Sequence, residues 1–430
     1  MGKALKILVI NPNSWYNKGD LGNRIGLVLA LKKAFGDNIC ITIESLTPHK
    51  DSEYFSRFST SVVGSIFSVK KSSLAPFIKV LNAISALFQL FLYSVFGLCV
   101  NFPKLPSLYL SKLVDSDLVI SSPGGFLQEY DIRSSLLPNL YLIFLALLAR
   151  KPVIIYAQSL GPFRNRLIRF ISRVILDRVD VILLRERISK TYLSELHVKN
   201  PNIIVTADSC FSTMLYFREQ LSKSTSSKPH LFGYACPKAR MLIGVTVIGS
   251  FFLNKDKRCL LKNYLLSLGY ALRKVARRYN AHILILPQVK NDVEDFISLA
   301  LHKLLYNENI ATYISDDLSP EDLVAIIKNS DVLIGTRMHS NIFALLSNVP
   351  VLAIAYEHKT FGIMGMLRLS DWVVGIEEID RYELYHKLVK LIQYEEKLKE
   401  TIHKVLMKVF VRSMLNAKIV FMRAKKKGLI

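Results

Sequence analysis

Val332-Leu333-Ile334-Gly335-Thr336-Arg337-Met338-His339-Ser340 runs from a short apolar strand through a turn into a helix containing Ile342–Leu346, and Val351–Ala355 follows as the next strand. A strand this short, with no polar alternation, is one buried on both faces, as in a parallel sheet covered by helices. In such sheets ligands collect outside the carboxyl ends of the strands. Arg337 and His339 follow the strand directly, at i and i+2 beside a helix N-terminus. Two cationic or proton-donating side chains in that place make a site for a carboxylate or a phosphate.

The same rhythm extends in both directions. Leu242–Val247, His282–Leu286, Thr312–Ile314 and Val332–Gly335 alternate with helices at Leu260–Arg277, from Val293 onward and at Pro320–Lys328. Towards the N-terminus, Lys6–Ile10, Ile39–Ile43, Leu118–Ser121, Val153–Ala157, Val181–Leu184 and Ile203–Val205 form another set of short apolar strands. Asp20 is placed to cap a helix over Leu21–Phe35, and Leu136–Leu148 is a helix apolar on most sides. Two such cycles give the fold class: α/β, with two Rossmann-like domains facing across a cleft, a GT-B-like glycosyltransferase architecture. The boundaries fall at 1–218, a linker over 219–240 rich in Ser, Pro and Gly, a second domain over 241–395, and a basic C-terminal helix over 396–430. The first domain carries an apolar and basic insertion at about residues 60–105.

The chain has 430 residues, enough for two α/β domains, and 57 basic against 34 acidic residues, a formal charge of +23. That surplus points to an anionic partner or to a basic surface kept for solubility. No zinc finger, aromatic RNA-binding motif or basic heptad helix accompanies it, so nucleic acid is excluded as a specific partner. Five cysteines without C-x-x-C spacing, and no secretory signal, point to a cytoplasmic protein with reduced thiols. Ile84–Val100 is almost wholly apolar and lies after Lys70, Lys71 and Lys79. It fits a buried core helix, a helix in the membrane interface or a span, and the interfacial reading would place the protein at an anionic membrane surface. The tail from Lys397 to Lys427 is either a helix packed back over the domains or a second basic amphipathic membrane contact.

Catalytic signatures are few. There is no G-x-S-x-G, H-E-x-x-H, P-loop or strand-end D-x-D, and the histidines lack metal-ligand spacing, which argues against a serine hydrolase, a zinc enzyme and a P-loop kinase. Besides the Arg337–His339 turn, two others bring backbone amides towards a ligand. Asn17-Lys18-Gly19-Asp20-Leu21-Gly22-Asn23 opens the first helix, and Ser121-Ser122-Pro123-Gly124-Gly125-Phe126 follows a strand.

In this order, these turns resemble the polysaccharide pyruvyl transferase family. The Asn-x-Gly-Asp loop corresponds to Asn17, Gly19 and Asp20. The glycine-rich strand end corresponds to Ser122–Gly125, with Pro123 where members often carry glycine. The Gln-x-x-Gly-Pro turn corresponds to Gln158, Gly161 and Pro162. Arg-x-x-x-Ser corresponds to Arg185, or to its neighbour Arg187, followed by Ser189. The strand-end acid corresponds to Asp208, with Ser209 in place of the usual proline. Gly-x-Arg-x-His corresponds to Gly335, Arg337 and His339, followed by Pro350 and Tyr356–Lys359.

The resemblance covers residue 5 to about 395 and implies transfer of the enolpyruvyl group of phosphoenolpyruvate, as co-substrate and without cofactor or metal, to a saccharide acceptor, either free or polyprenyl-linked. Arg337, Lys359 and Arg185 or Arg187 would then hold the donor, with His339 as the acid. Glu357, Asp208 and Asp20 would activate hydroxyls or bind sugar. Asn17, Gly19, Gly124, Gly125 and Gln158 would line the site. Two other readings compete: a nucleotide-sugar glycosyltransferase on the same fold, disfavoured because Ser340–Val349 offers no acidic ribose ligand, and an inactive envelope-assembly scaffold.

Overall fold

The computed structural model describes residues 4–11, 15–69, 72–98, 104–129, 135–223, 240–306 and 308–430. The chain divides into two compact units, Met1–Trp15 with Asn23–Ser212 and Arg412–Ile430, and Tyr16–Gly22 with Thr213–Val411. In chain order the first elements are β1 (Leu5–Ile10), α1 (Lys18–Phe35), β2 (Ile39–Ser45), α2 (Pro48–Ser56), β3 (Ser61–Gly64), α3 (Ala75–Phe96) and α4 (Lys104–Asp115). Next come β4 (Leu118–Ser121), β5 (Gly124–Leu127), α5 (Leu137–Leu148), β6 (Val153–Leu160), α6 (Arg166–Leu176), β7 (Val181–Leu184), α7 (Arg187–Glu195) and β8 (Ile203–Val205).

The first unit's sheet is parallel, in the order β3-β2-β1-β4-β6-β7-β8, with β5 pairing β6 beside that path. The order reverses between β1 and β4, which makes their carboxyl ends the switch point where ligands bind in doubly wound sheets. Its core joins Leu8 and Ile10 of β1, Val119 of β4 and Ile155 of β6 to Leu140 and Ile143 of α5. Such continuous burial is why these strands show no alternation.

The second unit begins with α8 (Met214–Lys223), β9 (Met241–Thr246), α9 (Leu260–Tyr279), β10 (Ala281–Ile285), α10 (Asp292–Tyr306), β11 (Ala311–Tyr313) and α11 (Pro320–Lys328). It continues with β12 (Val332–Gly335), α12 (Met338–Leu346), β13 (Val351–Ala355), α13 (His358–Met366), β14 (Val373–Gly375), α14 (Arg381–Gln393) and α15 (Glu395–Lys426). Its parallel sheet runs β11-β10-β9-β12-β13-β14, the order of a dinucleotide-type Rossmann sheet, with the reversal between β9 and β12. Arg337 follows β12 and therefore stands at this second switch point.

Several expectations from sequence need correction. Asp20 does not cap α1. The Oδ1 of Asn17 accepts from the Gly19 and Asp20 amides at 3.2 and 3.4 Å, so the helix begins three residues earlier, at Lys18. The compositional linker over 219–240 opens inside α8, and its remainder over 224–239 lies outside the described residues. The stretch taken as an insertion starts with a true sheet strand, β3, whose two valines are too few for a sequence signal.

The apolar stretch placed at Ile84–Val100 is α3. It starts at Ala75, and Lys70, Lys71 and Val100 lie outside the described residues. Only 22% of its most apolar window is buried, so it is not a core helix. The tail helix α15 buries Leu398, Ile402 and Leu406 in the second unit, and Ala417 and Val420 in the first.

Candidate functional site

In the first unit, a chain of polar groups crosses the carboxyl edge of the sheet at its switch point. Asn11, just past β1, donates its side-chain amide to the Ser121 hydroxyl at 2.7 Å and its backbone N–H to Glu44 at 3.0 Å. Gln158, in β6, donates to the same hydroxyl at 2.7 Å and to the Ser122 carbonyl at 2.6 Å. Burial pushes the Glu44 carboxyl up to about 7, against the opposing pull of the Ser65 hydroxyl and the Asn11 amide.

Beyond β7 lies a buried ion pair. Arg185 donates from Nη1 to Asp208 Oδ2 at 2.7 Å and from Nε to the Ser159 hydroxyl at 2.7 Å, with side-chain exposures of 1% and 0% for the pair. The other Asp208 oxygen accepts from the Cys210 amide at 2.9 Å, and its carbonyl accepts from the Ser413 hydroxyl at 2.7 Å. Asp208 is therefore fully engaged in fixing Arg185 and the turn after β8.

The sequence left Arg185 and Arg187 as alternatives. The structure separates them, since Arg185 is buried at the sheet edge and Arg187 is exposed as the first residue of α7. The Ser189 hydroxyl accepts from the Leu160 amide at 2.8 Å and donates to Glu186, so this serine braces the end of β6.

Gly125 completes the first cluster. A Cβ on Gly125 would lie 3.1 Å from Arg185 Nη2 and 3.3 Å from Gln128 Nε2. Two N–H donors thus face the same small space, and the Gln128 Nε2 is buried without a partner among the described residues. Space bounded by a guanidinium, an unpaired amide and glycine backbone suits an anionic oxygen. Gly124, beside it, lies under the ring of Phe126. Gln128 gave no sequence signal, because a lone glutamine after a glycine turn carries no pattern.

In the second unit, the first loop of the chain meets the strand-end histidine. A Cβ on Gly19 would fall 2.2 Å from His339 Nδ1 and 2.4 Å from its Cβ, so the glycine backbone lies directly against the imidazole. Around it, the Lys18 amide donates to the Gln288 carbonyl at 3.2 Å, the Lys290 amide donates to the Tyr16 carbonyl at 2.9 Å, and the wholly buried Lys18 ammonium reaches Asp317 at 2.6 Å. Asn17, Gly19 and the buried Asp20 thus belong to the same edge as His339.

His339 is half-buried, in the first turn of α12. Arg337, preceding that helix, forms an ion pair with Glu294 of α10 and donates to the Ser250 hydroxyl at 3.1 Å. Glu294 also accepts from the Gly249 and Ser250 amides at 2.8 and 3.1 Å, which ties the loop after β9 to the turn after β12. Burial opposes the Arg337 charge, and Glu294, Tyr356 and Glu357 outweigh it, so its pKa rises. Sequence reasoning missed Glu294, since acids in a first helical turn read only as dipole complements.

After β13, Glu357 and Lys359 form an ion pair at the start of α13, their side chains 18% and 16% exposed. Lys359 Nζ also stands 5.9 Å from the centre of the Tyr356 ring. Burial and the Glu357 charge raise the Tyr356 phenol, against Lys359 and Arg337. Both polar atoms of the Gln288 side chain, after β10, are buried without a partner among the described residues. Unpaired buried groups at a strand edge mark where a ligand would complete the hydrogen bonding.

Two parallel Rossmann sheets with cation-bearing switch points define the GT-B-like class. Solved structures agree on the fold. The UDP-GlcNAc 2-epimerase of Neisseria meningitidis bound to UDP-GlcNAc superposes with a TM-score of 0.62 at 14% identity, over 97% of this chain and 100% of that one. A glycosyltransferase from Rickettsia africae gives 0.58 at 13% identity, over 98% of each chain. The sequence profile described as polysaccharide pyruvyl transferase matches residues 17–358, so the chain belongs to the polysaccharide pyruvyl transferase family, a family of transferases. The amylovoran biosynthesis protein AmsJ of Erwinia amylovora is 22% identical over 308 residues, 70% of this chain and 71% of that protein.

Proposed function

We propose that this transferase moves the enolpyruvyl group of phosphoenolpyruvate onto a saccharide of a cell-surface polysaccharide or of its polyprenyl-linked precursor, forming a pyruvate ketal and releasing inorganic phosphate. The observation that carries this reading is the Gly19 backbone packed on His339, at a strand end whose neighbouring strand, β13, is followed by Glu357 and Lys359 at the start of α13. An acid fixed in place, with a lysine in the first turn of the helix after the adjacent strand, matches what the donor requires: a proton for its methylene carbon and a cation for its phosphate or carboxylate.

In this mechanism His339 protonates C3 of phosphoenolpyruvate and C2 becomes electrophilic. A sugar hydroxyl adds at C2, and its proton passes to a carboxylate, with Glu357 placed to accept it. The C2–O bond to phosphate breaks as phosphate takes the electron pair, and a second sugar hydroxyl closes the ketal. The carbon gains one proton, inorganic phosphate carries another, and the two hydroxyls supply both. Phosphoenolpyruvate enters as co-substrate, and these steps need only acid, base and fixed charge.

Arg337 acts through position, held by Glu294 and Ser250. Arg185 serves as an anion ligand of the first unit, positioned by Asp208. The protein works in the cytoplasm at the inner membrane face, where lipid-linked saccharides are displayed.

Calorimetric titration tests the donor assignment. Phosphoenolpyruvate should bind the wild type and bind Lys359→Ala about tenfold or more weakly, the loss expected for one charge-assisted contact. Binding of a UDP- or GDP-sugar in its place would move the chain to nucleotide-sugar chemistry, and binding of neither would favour a scaffold.

A further inference from the structure

Helix α3 is built inside out. Its polar side chains Asn82 and Gln89 are buried, with Asn82 donating to the Ile66 carbonyl at 2.9 Å and Gln89 accepting from the Ser107 hydroxyl at 3.0 Å. They share that side with Ala75, Ala86 and Leu90. The opposite side carries Phe77, Ile84 and Phe88 at 67%, 62% and 59% exposure, with Val80, Phe91 and Val95 along the same stripe. A helix on a water-soluble surface places these groups the other way round. Scattered apolar side chains on a surface need no explanation, but a continuous stripe along about five turns does.

Charge identifies what covers it. From Tyr54 to Val114 the sequence has six basic residues (Arg57, Lys70, Lys71, Lys79, Lys104, Lys112) and no acidic one. Beside the stripe lies a groove of about 810 Å³, lined by Ile84, Leu87, Phe88 and Phe91 of α3 and by Leu148 of α5, with the exposed Arg150 at its rim. Lys151, also at the rim, is held by the Val114 and Ser116 carbonyls at 2.6 and 2.7 Å.

We infer that this face of α3 docks on an anionic phospholipid bilayer, with the helix lying in the interface and a lipid chain entering the groove beneath Arg150. A helix packed through Asn82 and Gln89 along one side lies against its own unit and presents the other side to the acyl region. The exposed Lys79 of the helix and Arg150 of the groove meet the headgroups. The inference deepens the membrane placement proposed above and is independent of the donor chemistry.

The test is co-sedimentation of the full chain with vesicles of equal parts phosphatidylglycerol and phosphatidylcholine, wild type against the triple variant Phe77→Glu, Ile84→Glu, Phe88→Glu. These side chains are exposed, so the variant should keep its melting temperature and its phosphoenolpyruvate binding, which separates this result from any failure of the catalytic reading. The expected result is partitioning of the wild type and a drop of about tenfold or more in the variant. Wild type left in the supernatant overturns the inference. Equal partitioning of the variant overturns it too, since attraction would then be electrostatic alone. A wild-type dimer that the variant dissolves, with no vesicle binding, would show that a second copy covers the face.

Discussion

Gly19 and His339, 320 positions apart in the chain, are in direct contact: the pro-side-chain position of the glycine falls 2.2 Å from the imidazole Nδ1. No Cβ fits there without moving the ring. Gly19→Ala should therefore displace His339 and lower phosphoenolpyruvate turnover about a hundredfold, because small misplacements of a proton donor are costly. The accompanying loss of stability should be about 1–3 kcal/mol, as for overpacking. His339→Asn should lose turnover with little loss of stability, since the ring is only half-buried. Phosphate release and thermal melting read the two effects separately. Near-normal turnover in either variant would remove His339 as the acid.

The Arg185–Asp208 pair predicts a different signature. Both side chains are out of water, so Asp208→Asn leaves a buried guanidinium without its counter-charge, at a cost of about 3–5 kcal/mol. Arg185→Met combined with Asp208→Asn should cost less than the two single changes summed, because neither charge is then stranded. Urea unfolding of the four proteins gives the coupling directly. Additive losses would mean that the two residues act independently.

Much of this was legible in the chain itself. The strands at Val332–Gly335, Val351–Ala355, Leu118–Ser121 and Val181–Leu184 were marked at their true ends, because full burial on both faces leaves uninterrupted apolar runs bounded by turn residues. β3, β5 and β14 were not, since each holds only two apolar residues beside its serine or glycines, too few for an apolar run. The glycine turns at 19 and 125 stood out as places of close backbone approach, and their partners His339 and Arg185 stood out too, whereas Gln128 did not. Glu294 and Gln128 become site residues only when the fold brings α10 and the turn after β5 to the sheet edges. The two neighbouring arginines show a smaller limit: the Arg-x-x-x-Ser spacing favours Arg185, and burial then separates it from the exposed Arg187.

Glu44 gives the fold a pH dependence with a definite sign. Its carboxyl is pushed from 4.5 up to about 7 by burial, so between those values the folded protein holds a proton that the unfolded chain has released. Stability from this group is complete below about pH 4.5 and falls as pH rises towards 7, by roughly 3 kcal/mol in all. Glu44→Gln should remove that slope. Against the wild type, the variant should gain stability between pH 5 and pH 8 in denaturant unfolding, and a constant difference across that range would show that Glu44 does not titrate there.

Glu294 offers the sharpest separation of position from chemistry. It touches Arg337 and two backbone amides of the loop after β9, and it is 5% exposed. Glu294→Gln keeps the shape and one of the two amide contacts, since its amide NH2 cannot accept, while removing the charge that balances Arg337. Arg337, held in place by charge, should then swing free, weakening phosphoenolpyruvate affinity several-fold while His339 keeps its contact with Gly19. The pH profile of turnover, governed by the acid, should keep its midpoint, whereas Glu294→Ala should also loosen the Gly249–Ser250 loop and lower the melting temperature. Unchanged donor affinity in Glu294→Gln would mean that Arg337 does not depend on this partner for its place, and that the Ser250 hydroxyl and the start of α12 suffice to hold it.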